Sequence, residues 1–228
     1  MNGNKHMLFG DDIHRVEALT DGVFAIVMTL MVFNISLPKN EPTTDLRQEL
    51  WKLWPSFMAY LIAFGMAGIY WAANHNMFHF IKRSSHEFIW LTILFLACVS
   101  VLPFSTGLLA RFHTNVIALV FFGLNLECIG LSLFWILCHS TTSRRLTDPD
   151  LPEAVIRYAK SRIVTGIVGY GIATAAAFFN TTVALTLFLL IPLLFVLPPI
   201  QRLWTGKYGV RYSSDQNVRS ERGSERSG

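Results

Sequence analysis

Arg15-Val16-Glu17-Ala18-Leu19-Thr20-Asp21-Gly22-Val23-Phe24-Ala25-Ile26-Val27-Met28-Thr29-Leu30-Met31-Val32-Phe33 is the stretch that decides the fold. It opens on an arginine, carries the Asp21 carboxylate about two turns in, and then runs almost wholly apolar for about three turns. This is the pattern of a membrane helix with charge inside its first third. An ionisable side chain at such a depth is costly, so it needs a partner or a task.

The rest of the chain has the composition to match. Of 228 residues, 52% are hydrophobic and only 15% are charged, which places the chain among all-α integral membrane proteins rather than soluble domains. The formal charge of +4 is a topological signal, not a nucleic-acid footprint, because of how the cations are distributed. Cys98, Cys128 and Cys138 all lie in apolar runs without metal spacing and read as packing residues. No cleavable signal peptide is expected, since no small-residue cleavage site follows the first apolar run.

Hydropathy predicts six spans. Residues 1–14 form a polar lead. The first span runs from about Arg15 to Leu37 and stops at Pro38, the second from Trp54 to Phe80, the third from Phe88 to Leu109 and the fourth from Val116 to Cys138. A longer connection with Arg144, Arg145, Pro149 and Pro152 leads to a short amphipathic helix from Glu153. The fifth span then covers Arg162 to Phe179 and the sixth Thr182 to Ile200, with Asn180-Thr181 as a tight break between them. Residues 15–202 thus form the membrane domain, and 203–228 a basic tail, disordered by composition.

With six spans, fifteen of the nineteen Lys and Arg residues fall on the side of the two termini, and only Lys39, Arg47, Lys52 and Arg111 on the other. That bias predicts a multi-pass protein of the cell membrane with both termini cytoplasmic. Asp21 then lies six residues, roughly 9 Å, above Arg15 on the ascending first helix. On the descending second helix, His75 reaches nearly the same depth. Arg15, Asp21, Trp71, Asn74 and His75 are therefore the expected interhelical polar network, with interfacial solvation of His75 and the asparagines as the alternative.

Three motifs in order carry a resemblance. Arg15, Asp21 and Gly22 are similar to the Arg-x-x-x-Phe-Ser-Asp signature of the transmembrane protein 175 family of lysosomal-type potassium channels and their bacterial relatives, with Leu19 and Thr20 replacing Phe and Ser. Trp71 and His75 look like that family's Trp and His at the end of the second helix. Leu102-Pro103-Phe104-Ser105-Thr106-Gly107 is close to its Pro-Phe-x-Thr turn. The resemblance implies a homotetramer of six-helix subunits in which the first helices line a central pore, with potassium as the permeant ion and no cofactor.

Alignment on Arg15 and Asp21 puts Ile26 at the family's narrow hydrophobic ring. Helical geometry then sets Thr29, Leu30, Phe33 and Leu37 within about 60° of Ile26, and Asp21 about 140° away, toward the bundle. The implied function is a potassium-permeable cation channel with a hydrophobic constriction instead of a carbonyl filter. Gly169-Tyr170-Gly171 echoes part of such a filter but has helix-length apolar flanks and no preceding pore helix.

Other polar residues leave room for a rival. Glu127 lies mid-span with Asn125 two positions before it, so a proton- or cation-coupled transporter using Asp21, His75 and Glu127 is the alternative. A protonated Glu127 bonded to a neighbouring helix is the structural reading of the same residue. Against a carrier stands the absence of an internal repeat. Gly166, Gly169 and Gly171, with Thr165 and Ala173, read as a small-residue packing surface. No metalloprotease, nucleophile-elbow or phosphate-loop motif is present, and an enzyme is not expected.

Overall fold

Proline positions set much of the helical punctuation. A computed structural model describes residues 5–35, 46–82, 84–142, 146–147 and 151–196, with side chains from Ile13 to Phe195. Helix α1 covers Lys5–Leu30 and tightens into a 3-10 turn over Met31–Asn34. A short α2 (Leu46–Lys52) precedes α3 (Trp54–Phe78), whose first turn holds Pro55, where a missing N–H removes no helical bond. α4 (His86–Ser100) and α5 (Leu102–Arg111) then form one interrupted span. The interruption at Val101 follows from Pro103, which cannot bond the carbonyl of Val99 and whose ring crowds it. α6 (Val116–Thr142), α7 (Glu153–Ala176) and α8 (Thr181–Val196) complete the bundle.

By length and composition, four segments can cross a membrane: Ile13–Asn34, Trp54–Phe78, His86–Arg111 and Val116–Thr142. α8 is apolar but shorter, and α7 carries Arg157, Lys160 and Arg162 in its first three turns. The helix α1 begins ten residues before Arg15, so part of the expected lead is helical. Glu153 and Arg162 belong to one unbroken helix, not to an amphipathic piece followed by a separate span. Leu37, Pro38, Arg144, Arg145 and the tail from 203 onward lie outside the described residues.

α6 is the centre of the bundle, packing on α4, α5, α7 and α8. Phe122 meets Phe188 edge-on at 5.5 Å, and Tyr170 stacks on the other side of the same phenyl group at 6.2 Å. Gly169-Tyr170-Gly171 is helical throughout, with the Tyr170 ring buried and its hydroxyl on the Met66 sulfur. Its carbonyls are engaged along the helix, so this segment is core and not a filter.

Two of the tight glycines are on α6. A Cβ at Gly123 would overlap the Thr174 hydroxyl and stand 3.1 Å from the Phe188 ring, and one at Gly130 would stand 3.0 Å from Ile167. By contrast, Gly166, Gly169 and Gly171 meet nothing closer than 3.5 Å. The small-residue seam expected on α7 is therefore built mainly from α6, with Thr174 and Ile167 entering its hollows.

Several buried polar groups are satisfied across helices, as a low-dielectric interior favours, while the Ser140 hydroxyl has no partner among the described residues. The Tyr70 hydroxyl donates to the carbonyl of Leu126 at 2.8 Å. Asn125 donates to the Cys98 carbonyl at 3.0 Å, and Ser105 donates to the Asn125 side-chain oxygen at 2.8 Å. These bonds tie α4, α5 and α6 together across the bend at Val101. The three cysteines are free thiols, none buried.

Candidate functional site

Helix α1 has two chemically similar sides with different fates. Ile13, Thr20, Phe24, Val27 and Met31 are buried, and Phe24 packs against Phe95 of α4 with ring centroids 5.9 Å apart. Arg15, Ala18, Leu19, Gly22, Ile26, Thr29, Leu30 and Phe33 recur at helical spacing and are exposed. Ile26 is 59% exposed and Phe33 76%, whereas Val27, one residue from Ile26, is 3% exposed. Nothing among the described residues covers this stripe. Thr29 turns its hydroxyl back onto the carbonyls of Ala25 and Ile26, at 3.0 and 2.9 Å, leaving only oxygen lone pairs for any other contact.

Two anchors hold the reverse side, one near each end of the span. At the first, the Trp71 indole N–H donates to the Asp21 carboxylate at 2.8 Å. One turn below, Glu17 lies 3.5 Å from Nδ1 of His75, a contact of ion-pair length without an aligned hydrogen bond. Trp71 and His75 stack at 5.3 Å and 14°, and His79 meets His75 edge-on at 4.9 Å. His14 approaches the other Glu17 oxygen at 3.8 Å.

This differs from the expected network by one helical turn. α1 and α3 run antiparallel, so a step of four residues up α1, from Glu17 to Asp21, is matched by a step of four back along α3, from His75 to Trp71. Asp21 thus meets Trp71 and not His75, and it remains exposed at the margin of the bundle instead of pointing into it. Arg15 is exposed with no ion pair among the described residues, and buried Asn74 makes neither contact. Glu17, absent from the expected network, stands opposite His75 in the place expected for Asp21. Its spacing of four from Asp21, facing a Trp and His spaced by four, was the available signal.

At the far end, Asn34 donates to the Pro103 carbonyl at 2.8 Å, and a Cβ on Gly107 would stand 2.6 Å from the Asn34 side-chain oxygen. The missing N–H of Pro103 leaves the carbonyl of Val99 without its helical partner, whereas Asn34 bonds the carbonyl of Pro103 itself and so ties the end of α1 to the start of α5. The 3-10 turn of α1 is thereby seated on the first turns of α5, where Pro103 to Gly107 are helical.

Glu127 is half-buried on α6, its carboxylate 3.9 Å from where a Cβ on Gly171 of α7 would stand, with no side-chain hydrogen bond among the described residues. No described contact joins it to Asp21 or His75. Among the described residues, no cluster of three His, Cys, Asp or Glu side chains could hold a metal ion.

The Asp21–Trp71 bond makes a specific demand. In a double-mutant cycle of Asp21→Ala and Trp71→Phe, the expected coupling is about 1 kcal/mol, the scale of hydrogen bonds measured between membrane helices. Melting of the detergent-purified protein reads it. Fully additive effects would mean the bond contributes nothing.

Comparison with known proteins brings the two anchors and the stripe together. Residues 15–103 match the family model described as endosomal/lysosomal potassium channel TMEM175. A potassium channel of Streptomyces collinus is 30% identical over 175 residues, covering 75% of this chain and 85% of that protein. The endosomal/lysosomal proton channel TMEM175 of Bos taurus is 34% identical over 110 residues, covering 42% of this chain and 23% of that longer protein. The crystal structure of a lysosomal potassium-selective channel TMEM175 homolog from Chamaesiphon minutus superposes with a TM-score of 0.73 at 26% identity, covering 81% of this chain and 96% of that one.

Proposed function

This chain belongs to the TMEM175 family, a family of ion channels and not of enzymes, and from that premise we propose that it is a potassium-permeable cation channel whose narrowest point is a ring of Ile26 side chains. The observation that carries the reading is the uncovered stripe of α1. A helix pinned at both ends to its own bundle, with an apolar side left bare between the pins, is the element that four copies of the chain would gather around an axis.

In that homotetramer, Ile26, Thr29, Leu30 and Phe33 line the pathway. α7 and α8 complete six spans per subunit, and the cation bias sets both termini in the cytoplasm of a cell whose plasma membrane holds the channel. An isoleucine ring offers no carbonyl oxygens to replace an ion's water. Passage requires partial dehydration at an apolar neck, which also closes by dewetting. Potassium releases water at lower cost than sodium, so such a neck favours it. Thr29 supplies lone pairs about one turn further on, with its proton held by its own helix. The Glu17–His75 and Asp21–Trp71 contacts fix the rotation that aims Ile26 at the axis.

Bilayer recording from the purified protein tests the function. Discrete unitary currents with a reversal potential favouring potassium are expected, and a proton gradient applied separately measures proton permeability. Smooth, saturable flux without unitary events would establish the coupled-carrier alternative. Mass measurement in mild detergent is expected to give four chains per particle, and a clean monomer or dimer would remove the central-pore arrangement.

A further inference from the structure

Away from the stripe, α3, α6, α7 and α8 line a half-open cavity of about 550 Å³. That volume lies in the range of about 300–1,000 Å³ over which proteins hold small, largely apolar ligands. Its deep wall is Met66, Leu133, Ile167 and Tyr170, from the middle of their helices, and its shallow wall includes His79 and Tyr158 near the end of α3 and the start of α7.

Arg162 is the cation in this wall. Its guanidinium donates to the Tyr158 hydroxyl at 3.4 Å and to the Phe195 carbonyl at 3.3 Å, and lies 5.5 Å from the centre of the Phe195 ring. These contacts hold the side chain toward the start of α7 but supply no negative charge, and no carboxylate among the described residues is within ion-pair distance of it. Two of its five N–H donors are engaged. An arginine lining an apolar chamber calls for an anion. Arg157, Lys160 and Lys82 stand at the same end of the bundle, where the backbone N–H of Lys82 bonds the Leu146 carbonyl at 2.7 Å.

We propose that this cavity binds one anionic phospholipid from the leaflet facing the basic end, with its phosphate on Arg162 and an acyl chain along Ile163 and Ile167 toward Tyr170. The assignment rests on the reading that α7 and α8 stand in the bilayer, and it is independent of what passes through the pore. Tail and head are recognised by different means. The apolar wall accepts any acyl chain, while the guanidinium selects for net negative charge.

Native mass spectrometry of the full chain, incubated separately with phosphatidylglycerol and phosphatidylcholine, tests it. The expected result is retention of one phosphatidylglycerol per chain, preferred over phosphatidylcholine by roughly tenfold. Arg162→Leu should abolish that preference without abolishing lipid retention, and Arg162→Lys should keep most of it. Gly166→Leu, whose side chain would enter the cavity beside Phe195, should lower retention of both lipids. Equal retention of the two lipids by the wild type overturns the proposal. So does a thermal shift with inorganic phosphate alone equal to that with the lipid, or a full chain that keeps no lipid because its own continuation past Val196 fills the space. A wild-type chain that retains no lipid yet gives unitary currents in bilayers removes this site and leaves the channel intact.

Discussion

Ile26→Asn is expected to raise the current and collapse the preference for potassium over sodium. In the proposed tetramer, four amides at the neck would hold water and coordinate either ion. The dewetting barrier falls, and with it the difference in dehydration cost. A cost difference of about 1.4 kcal/mol corresponds to a tenfold permeability ratio. Losing it moves the bi-ionic reversal potential by about 59 mV toward zero for a monovalent ion.

Val27→Asn is the matched control. Val27 is buried against the bundle beside an exposed Ile26, so an amide there damages packing and should lower yield without that electrical signature. Conducting Ile26→Asn channels of unchanged selectivity would move the constriction to Thr29 or Leu30.

The largest effect on folding is expected from Gly123→Val. The Thr174 hydroxyl occupies the hollow that glycine leaves, and the Phe188 ring closes its other side, so the added methyls have nowhere to go. Overpacking of this kind costs about 1–3 kcal/mol or more when the neighbours cannot move. Thr174 is held on α7 by its bond to the Tyr170 carbonyl at 2.8 Å, and Phe188 is clamped between Phe122 and Tyr170. The protein should be recovered in poor yield with a lowered melting temperature. Gly68→Ala on α3, with nothing within 4 Å of the new methyl, should be neutral or slightly stabilising through helix propensity. Equal behaviour of the two variants would show that α6 and α7 can separate at no cost. Thr174→Ala should relieve part of the Gly123→Val defect, because it removes the overlapping hydroxyl.

Two readings show how far one-dimensional pattern carries. Ile26, Leu30 and Phe33 share one exposed side because helix periodicity is a property of the backbone, known before any neighbour is placed. Their exposure depended on tertiary structure, since a membrane helix is apolar all round and hydropathy cannot say which side a bundle covers. The same limit hid the tight helix contact. Glycines are conspicuous on α7, yet those that admit a close neighbour are Gly123 and Gly130 on α6 and Gly107 on α5.

By itself, the sequence determined an all-helical membrane chain, the helix limits marked by proline, the family signature and the pairing of the first two long helices by polar groups. Each of these depends on composition, on local backbone chemistry or on the cost of an unpaired charge in an apolar medium. Tertiary structure alone decided that Glu17 meets His75 while Asp21 meets Trp71, that Asn34 bonds the Pro103 carbonyl, and that Arg162 faces an apolar chamber with no carboxylate among the described residues in ion-pair reach. The physical reason is common to all three. Antiparallel helices can slide by a turn and keep the same apolar pattern in register, and only the packing of the whole bundle selects one offset.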